Sequence, residues 1–324
     1  MVRIGILGTG AMGGVHAAAY AGMPDMKVVG VFSRNADTAR TVAGICNARP
    51  VDSAKALIED PSIDAIDVCL PSAGHAALTI AALEHGKHVF CETPMALDLD
   101  EARAMAAAAR RAGRLLQVGL LVRSIAQYRH VKEMTAAGTH GRLLSLSTWR
   151  LGSYLHPGAP DHKAHYGEPI VELMIFDFDF AGWVMGRPAR LSVGGTGEVA
   201  ALLGFDDGRN AMVAASGLMP PGSPFTVGFR ALFEDACFEL QQVFEQGPPR
   251  IAFTLAEGRA GPRPVALLDE NPYEAELRRF VDCIAGRADP ALLDADRAIE
   301  ALTLSLAAQR ALAEHRTVEL SPLP

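Results

Sequence analysis

Short apolar runs alternate with alanine-rich segments through roughly the first third of the chain. The apolar run at residues 65–70 is typical of a strand buried on both faces of a parallel sheet. Strands that alternate with helices at this spacing require βαβ crossovers and predict a doubly wound parallel sheet. The predicted strands lie at 2–7, 27–32, 65–70, 88–91 and 115–119, and the helices at 11–21, 36–44, 54–58, 75–85 and 99–112.

The pattern changes after about residue 121. Short alternating runs divided by Gly, Pro and Asp fill residues 189–268 and predict an antiparallel sheet. We therefore predict an α/β domain at 1–121, followed at 122–324 by an α+β domain with a large, mainly antiparallel open sheet. The other predicted elements are helices at 127–137, 171–185, 273–285 and 294–314, strands at 143–150 and 318–320, and a loop rich in Pro, Gly and His at 152–169.

Composition and charge narrow the possible partners. The 324 residues are 49% hydrophobic and 21% charged, with a net charge of −7, so a nucleic-acid or anionic-membrane partner is not expected. The five cysteines are dispersed without a C-x-x-C pair, which predicts a reducing compartment and no structural metal site. Because the first strand runs directly into a glycine-rich turn, we expect no signal peptide and a cytoplasmic protein.

A glycine fingerprint lies between the first strand and the first helix. Gly8, Gly10 and Gly13 form G-x-G-x-x-G, with Thr9, Ala11 and Met12 between them. In this context the motif predicts a Rossmann dinucleotide site, since glycines permit a tight turn, a close approach to the pyrophosphate and close helix packing. The helix N-terminus supplies free N–H groups for the anion.

The end of the second predicted strand bears on the choice of dinucleotide. A carboxylate about 20 residues beyond the glycines is typical of sites that bind the NAD ribose. This chain has Ser33 and Arg34 there, and no acid in Phe32–Asn35. A guanidinium fork suits a 2′-phosphate, so NADP is predicted in preference to NAD. The alternative is that Arg34 stacks on adenine or faces solvent.

Several further segments extend a resemblance along nearly the whole chain. They are VCLPSAGH at 68–75, GKHVFCETP at 86–94, Val118-Gly119 with Arg123, VELMIFDFDFAGWVMG at 171–186, and Asn271-Pro272-Tyr273. Together with the glycine fingerprint, these resemble the glucose–fructose oxidoreductase/inositol dehydrogenase/MocA (GFO/IDH/MocA) family of NAD(P)-dependent oxidoreductases. The resemblance implies hydride transfer between nicotinamide and a sugar- or cyclitol-like alcohol or carbonyl compound.

The resemblance also implies which residues line the nicotinamide end of the site. In the family, Glu92 would contact the nicotinamide ribose, and Pro94 would follow a cis peptide bond. The remaining residues expected to contact the cofactor are Leu70, Pro71, Ser72, His75 and Thr93. His16 is expected to pack within the first helix, and Asp177 and Asp179 are expected to be structural.

The chain departs from the family at three catalytic positions. Thr93 stands at the lysine, Glu172 at the aspartate and Phe176 at the histidine. Threonine cannot act as the cationic hydrogen-bond donor that lysine is, and phenylalanine cannot accept or donate a proton as histidine does. Three explanations remain open. Other groups transfer the proton, with Glu172, Lys163, His165 and Tyr166 as candidates; the substrate needs less acid–base help; or the chain binds the cofactor without dehydrogenase turnover, as a regulatory or scaffold protein or in an NAD-assisted elimination or hydrolysis.

The predicted antiparallel sheet carries more apolar residues than one helical layer covers. Examples are Leu191, Val193, Phe205, Met212, Val227, Phe229, Leu232, Phe238 and Leu240. An uncovered apolar face of this kind indicates burial against another subunit. We expect a homodimer, or a homotetramer of such dimers, joined through the C-terminal sheet.

Overall fold

The structure is a computed structural model that describes residues 1–153, 169–245, 247–268 and 270–320. The chain forms two compact units. The first contains Met1–Ser124 and Glu270–Ile299, and the second contains the described residues of 125–153, 169–268 and 300–320. None of the described helices combines the length and the apolar character needed to cross a membrane.

The first unit is built on a six-stranded parallel sheet with the order β3-β2-β1-β4-β5-β6. This is the order of a Rossmann fold, in which the chain reverses direction across the sheet beside β1. The predicted doubly wound sheet is therefore confirmed. Its strands are β1 (Val2–Leu7), β2 (Met26–Phe32), β3 (Arg49–Pro50), β4 (Ala65–Val68), β5 (His88–Cys91) and β6 (Leu116–Val118).

Helices flank this sheet, and local sequence signals define their ends. The Asn35 side chain caps α2 by accepting from the amides of Asp37 and Thr38, and Asp98 caps α5. Helix α5 ends at Gly113, whose φ of 59° is left-handed. The helices of this unit before residue 124 are α1 (Ala11–Ala21), α2 (Ala36–Ile45), α3 (Ala54–Ile58), α4 (His75–Glu84) and α5 (Leu99–Ala112).

The first unit also includes a segment from late in the sequence. Helix α9 (Pro272–Ile284) buries Leu277, Phe280 and Val281 in the same core as Ile4 and Tyr20. This packing assigns residues 270–299 to the first unit, whereas the sequence analysis placed all residues after 121 in a second domain. The exact domain boundaries stay a prediction.

The second unit is dominated by a nine-stranded sheet with the order β14-β13-β12-β11-β7-β10-β9-β8-β15. All neighbours are antiparallel except β7 and β10, which run parallel, so the predicted mainly antiparallel sheet is confirmed. The strands are β7 (Leu143–Leu151), β8 (Arg190–Gly194), β9 (Val199–Gly204), β10 (Asn210–Ser216), β11 (Phe225–Phe233), β12 (Ala236–Phe244), β13 (Arg250–Glu257), β14 (Arg263–Pro264) and β15 (Val318–Glu319).

Helices cover one face of this sheet through an aromatic core. The rings of Tyr128 and Phe180 lie 4.6 Å apart, and each packs on Phe229 of β11. Edge-to-face packing of this kind adds to the stabilisation from apolar burial. The remaining described helices are α6 (Ala126–Ala137), α7 (Pro169–Glu172), α8 (Met174–Met185) and α10 (Ala295–Glu314).

Candidate functional site

The turn between β1 and α1 is shaped by two close backbone approaches. Gly8 has a φ of +109°, and a Cβ there would lie 2.3 Å from the carbonyl oxygen of Cys69. A Cβ at Gly13 would lie 2.2 Å from the carbonyl oxygen of Gly8. Both positions therefore require glycine, because a side chain would push the turn or the helix away from the sheet.

Gly10 differs from the other two glycines because the space beside it is open. It is the N-cap of α1, no side chain caps this helix, and a Cβ at Gly10 would meet nothing within 4 Å. The amides that open α1, at Ala11, Met12 and Gly13, have no partner within the helix. They and the helix dipole form a cradle that fits the diphosphate of a dinucleotide.

The segment after β2 lies beside this cradle. The hydroxyl oxygens of Thr9 and Thr38 lie 2.6 Å apart, and the Thr38 hydroxyl donates to Ser33 Oγ at 3.4 Å. Arg34 is exposed between these polar groups and the start of α2. The structure thus brings Ser33 and Arg34 to the edge where an adenosine ribose would lie in a Rossmann fold.

His75 ties together the two turns that follow β4 and β5. Its Nδ1 lies 3.0 Å from the carbonyl oxygen of Pro94, and its Nε2 lies 2.6 Å from that of Leu70. Burial lowers the pKa of His75 and favours the neutral ring, which donates to one of these carbonyls at a time. Pro71 and the buried Ser72 lie in the first turn, and the Thr93–Pro94 peptide bond is cis, as expected.

The Thr93 hydroxyl is already engaged with the backbone. It donates to the carbonyl oxygen of Gly119 at 2.8 Å. The single hydroxyl hydrogen is used in this bond, so the Thr93 oxygen can only accept further hydrogen bonds. A hydroxyl also lacks the positive charge with which a lysine would stabilise an alkoxide. Thr93 therefore cannot act as a cationic proton donor in this site.

A group of buried titratable side chains lies behind the same edge of the sheet. His16 contacts Asp67 on one side, at 2.9 Å from Nδ1, and Glu92 on the other, at 2.8 Å from Nε2. Glu276 of α9 joins them, and neither it nor the charge on His16 was expected from the sequence. The sequence signal that could have revealed this cluster is an ionisable residue on the otherwise apolar face of a helix, His16 in α1 and Glu276 in α9.

Glu172 lies in the second unit, and its surroundings suit proton transfer. The structure divides the predicted helix 171–185 at Leu173, whose φ of −99° and ψ of −50° depart from regular helix, so Glu172 ends the short helix α7. Burial raises the pKa of Glu172 to about 7. A group with a pKa near the operating pH can both accept and return a proton. The other candidates, Lys163, His165 and Tyr166, lie outside the described residues.

Asp177 is occupied by an ion pair. Nε of Arg150 donates to its Oδ2 at 2.7 Å, and the Arg150 guanidinium lies 4.8 Å from the centre of the Phe176 ring. Burial raises the pKa of Asp177, although Arg150 and Thr148 oppose this effect. Asp177 is thus held by a buried guanidinium, and the Phe176 ring packs against the same cation.

Comparisons with known proteins agree with this geometry. Residues 2–120 match the model of the GFO/IDH/MocA oxidoreductase family, which has an NAD-binding Rossmann fold. Inositol 2-dehydrogenase 3 of Saccharopolyspora erythraea is 37% identical over 142 residues, covering 43% of this chain and 42% of the relative. The first three curated relatives are matched over only 42–53% of their length, so the chain spans about half of each.

Other similarities extend along the whole chain. Myo-inositol 2-dehydrogenase of Thermotoga maritima is 26% identical and aligns over 98% of both chains. The solved UDP-N-acetylglucosamine 3-dehydrogenase of Acidithiobacillus ferrooxidans has the same fold, with a TM-score of 0.81, 24% identity and coverage of 96% of this chain and 98% of that one. The chain thus resembles the GFO/IDH/MocA family of oxidoreductases along its length, and the match to the family model lies within its Rossmann-fold unit.

Proposed function

We propose that this protein is an NAD(P)-dependent oxidoreductase that acts on a small hydroxylated or carbonyl compound of the sugar or cyclitol class. The observation that carries the proposal is the open cradle at Gly10, at the carboxyl edge of a sheet with Rossmann strand order. When bound there, the nicotinamide supplies hydride transfer. The names of the inositol dehydrogenases among the relatives support the substrate class.

The residues proposed to hold the dinucleotide fall into three groups. Gly8–Gly13 bind the diphosphate, Ser33 and Arg34 bind the adenosine ribose and its phosphate, and the two turns tied by His75 bind the nicotinamide half. Within those turns the proposed contacts are Leu70, Pro71, Ser72, Glu92, Thr93 and Pro94.

We propose Glu172 as the proton acceptor in alcohol oxidation and the donor in carbonyl reduction. Its half-buried carboxyl, with a pKa of about 7, supports this role, whereas Thr93 and Phe176 lack the chemistry and Asp177 is held by Arg150. Lys163, His165 and Tyr166 remain candidates for the same proton transfer.

The second candidate function is dinucleotide binding without dehydrogenase turnover. The specific observation that favours it is the presence of Thr93 and Phe176 where the resemblance implies a lysine and a histidine. Calorimetric titration with NADPH and NADH, followed by the absorbance of reduced nicotinamide against polyols, sugars, ketones and imines, separates the two functions. Binding with turnover supports the dehydrogenase, and binding without turnover on any of these classes favours the second candidate.

We further propose that NADP is preferred to NAD. Changing Arg34 to Ala is expected to weaken NADPH binding by about 10- to 100-fold, because a charge-assisted contact to phosphate contributes about 1.5–3 kcal/mol. NADH binding should change little, since NADH lacks the 2′-phosphate. Calorimetric dissociation constants for both dinucleotides measure the difference.

Arg49 offers a matched control for this experiment. It is exposed on the neighbouring strand β3 and is paired with Asp60 at 2.7 Å, so changing Arg49 to Ala removes the same charge away from the proposed phosphate site. The affinities for NADPH and NADH should both remain those of the wild type in Arg49→Ala. Equal weakening of NADPH and NADH in the Arg34 variant would rule out the phosphate contact.

We also propose that the second unit forms a homodimer, or a tetramer of dimers, through its sheet. Leu202, Met212 and Leu232 are 53%, 45% and 42% exposed, and strand register places them on one face with the ion pair of Arg230 and Glu239. Exposed apolar side chains on a sheet face, with charged groups that a partner can match, favour association. Changing Met212 to Lys should shift the protein to monomers in sedimentation experiments; a wild-type monomer would contradict the proposal.

A further inference from the structure

The buried cluster behind the proposed nicotinamide site is made by four secondary-structure elements. His16 comes from α1, Asp67 and Cys69 from the end of β4, Glu92 from the end of β5 and Glu276 from α9. His16 and Asp67 are fully buried, and Glu276 is 1% exposed. Titratable groups removed from water in this way need compensating charges or hydrogen bonds.

His16 lies between two carboxyl groups. Its Nδ1 is 2.9 Å from Asp67 Oδ2, and its Nε2 is 2.8 Å from Glu92 Oε1. The Nδ1 contact is a hydrogen bond, whereas Nε2 and Glu92 Oε1 approach each other without hydrogen-bond geometry, so His16 acts on Glu92 through its charge. Burial alone would lower the pKa of His16, but Cys69 and Asp67 outweigh it and raise that pKa well above its usual range.

Burial favours the uncharged form of the other groups around the imidazole. It raises the pKa of Glu276 well above its ordinary value, and Glu92 adds to that effect. Burial likewise raises the pKa of the Cys69 thiol and of the Tyr20 hydroxyl. Tyr273 contributes a ring with its centre 6.4 Å from that of His16. The contacts of the imidazole therefore run in a row from Asp67 through His16 to Glu92.

Glu92 is the member of this row that reaches the proposed cofactor edge. While Oε1 contacts His16, Oε2 accepts from the amide of Thr93 at 3.2 Å. Gly119 leaves room for the carboxylate, since a Cβ there would lie 3.2 Å from Oε2. The position of the Glu92 carboxylate is thus defined by His16 on one side and by the backbone of two turns on the other.

We infer that His16 is a positioning residue for the dinucleotide: protonated and held by Asp67, it fixes the Glu92 carboxylate in the orientation that receives the nicotinamide ribose. This inference rests on the proposed function, because it assigns Glu92 to that ribose. A preorganised acceptor binds more tightly than one that must first be ordered, and the buried imidazolium removes that ordering step.

Two substitutions of His16 test the contacts of its two ring nitrogens separately. In His16→Gln the amide nitrogen can reach the place of Nε2 and keep a polar N–H group beside Glu92, whereas in His16→Asn it can replace only Nδ1. We expect His16→Asn to weaken NADPH and NADH binding about 10-fold, the effect of losing about one charge-assisted contact, and His16→Gln to retain most of the affinity.

The dependence of affinity on pH provides a readout that a structural role would not change. The wild-type affinity should vary little between about pH 6 and pH 8, because His16 stays protonated. In His16→Asn the affinity should vary more with pH over the same range, because the buried cation beside the proposed ribose acceptor has been removed. Glu276→Gln is the matched control: the amide imitates the protonated acid, so affinity and its pH profile should remain those of the wild type.

Nitrogen-15 NMR of the protein without dinucleotide tests the charge of His16 directly, even if a variant fails to fold. Both ring nitrogens should show the protonated signature at neutral pH, and that signal should be missing from a folded His16 variant. A neutral His16 ring, or equal affinity and equal pH profiles for wild type and His16→Asn, overturns the inference while the proposed function stands. A wild-type protein that binds neither NADPH nor NADH overturns the proposed function, and the positioning role with it.

Discussion

Replacing Gly10 by alanine is expected to lower the affinity for NADPH and NADH on the order of 100-fold and to leave the melting temperature unchanged. The added Cβ meets no protein atom within 4 Å, so the fold tolerates it. The φ of −70° and ψ of −167° at Gly10 are also accessible to alanine. The methyl group would instead occupy the space into which the diphosphate must come. Calorimetric titration and thermal unfolding measure the two effects separately.

The neighbouring glycines provide contrasting controls. Gly13→Ala should lower the free energy of unfolding by about 1–3 kcal/mol, because its Cβ would lie 2.2 Å from the Gly8 carbonyl oxygen. Gly14→Ala places a methyl group in open space one residue further along α1, and should keep the affinity and raise stability slightly, since alanine favours helix. Normal dinucleotide binding by Gly10→Ala would mean that no diphosphate lies on this helix start.

Changing Glu172 to Gln is expected to lower kcat by about 100- to 10,000-fold on a true substrate, the usual contribution of a general acid or base. The amide preserves the size of the side chain but cannot exchange a proton. Because burial raises the pKa of Glu172 to about 7, the wild-type rate of alcohol oxidation should rise with pH through about 7 as the carboxyl ionises. Carbonyl reduction should fall over the same range, since it needs the protonated acid.

The shape of the pH profile identifies Glu172 more sharply than the loss of rate does. The step near pH 7 should vanish in Glu172→Gln. Glu198, an exposed carboxylate of the same unit, is a suitable control, and its change to Gln should leave both rate and profile intact. If Glu172→Gln keeps the wild-type rate, Glu172 does not transfer the proton, and Lys163, His165 or Tyr166 takes that role.

The parts of this protein that could be predicted from the sequence depend on local patterns. The strands of the first unit appear as apolar runs, and the helix starts appear as side chains such as Asn35 that cap their own backbone. The glycine fingerprint is also a local pattern, because Gly8, Gly10 and Gly13 lie within six consecutive residues of a single turn. Observed element ends such as Met26 and Val118 therefore differ from the predicted ends by only a residue.

The predicted helix 171–185 shows where local pattern is insufficient. Apolar side chains extend along its whole length, yet the backbone departs from regular helix at Leu173, and Glu172 ends a separate short helix. Hydrophobic periodicity indicates which residues are buried, but it does not report a local irregularity of the backbone within a buried segment.

The cluster around His16 could not be predicted from the sequence, because it is formed by residues that are far apart along the chain. His16 and Asp67 are 51 positions apart, and Glu276 joins them only because α9 packs in the core of the first unit. Likewise, the hydroxyl of Thr93 could not be assigned until the Gly119 carbonyl was found 2.8 Å away. Periodicity, turns and caps are properties of neighbouring residues, whereas the charge of a buried side chain depends on which groups the fold brings within a few ångströms of it.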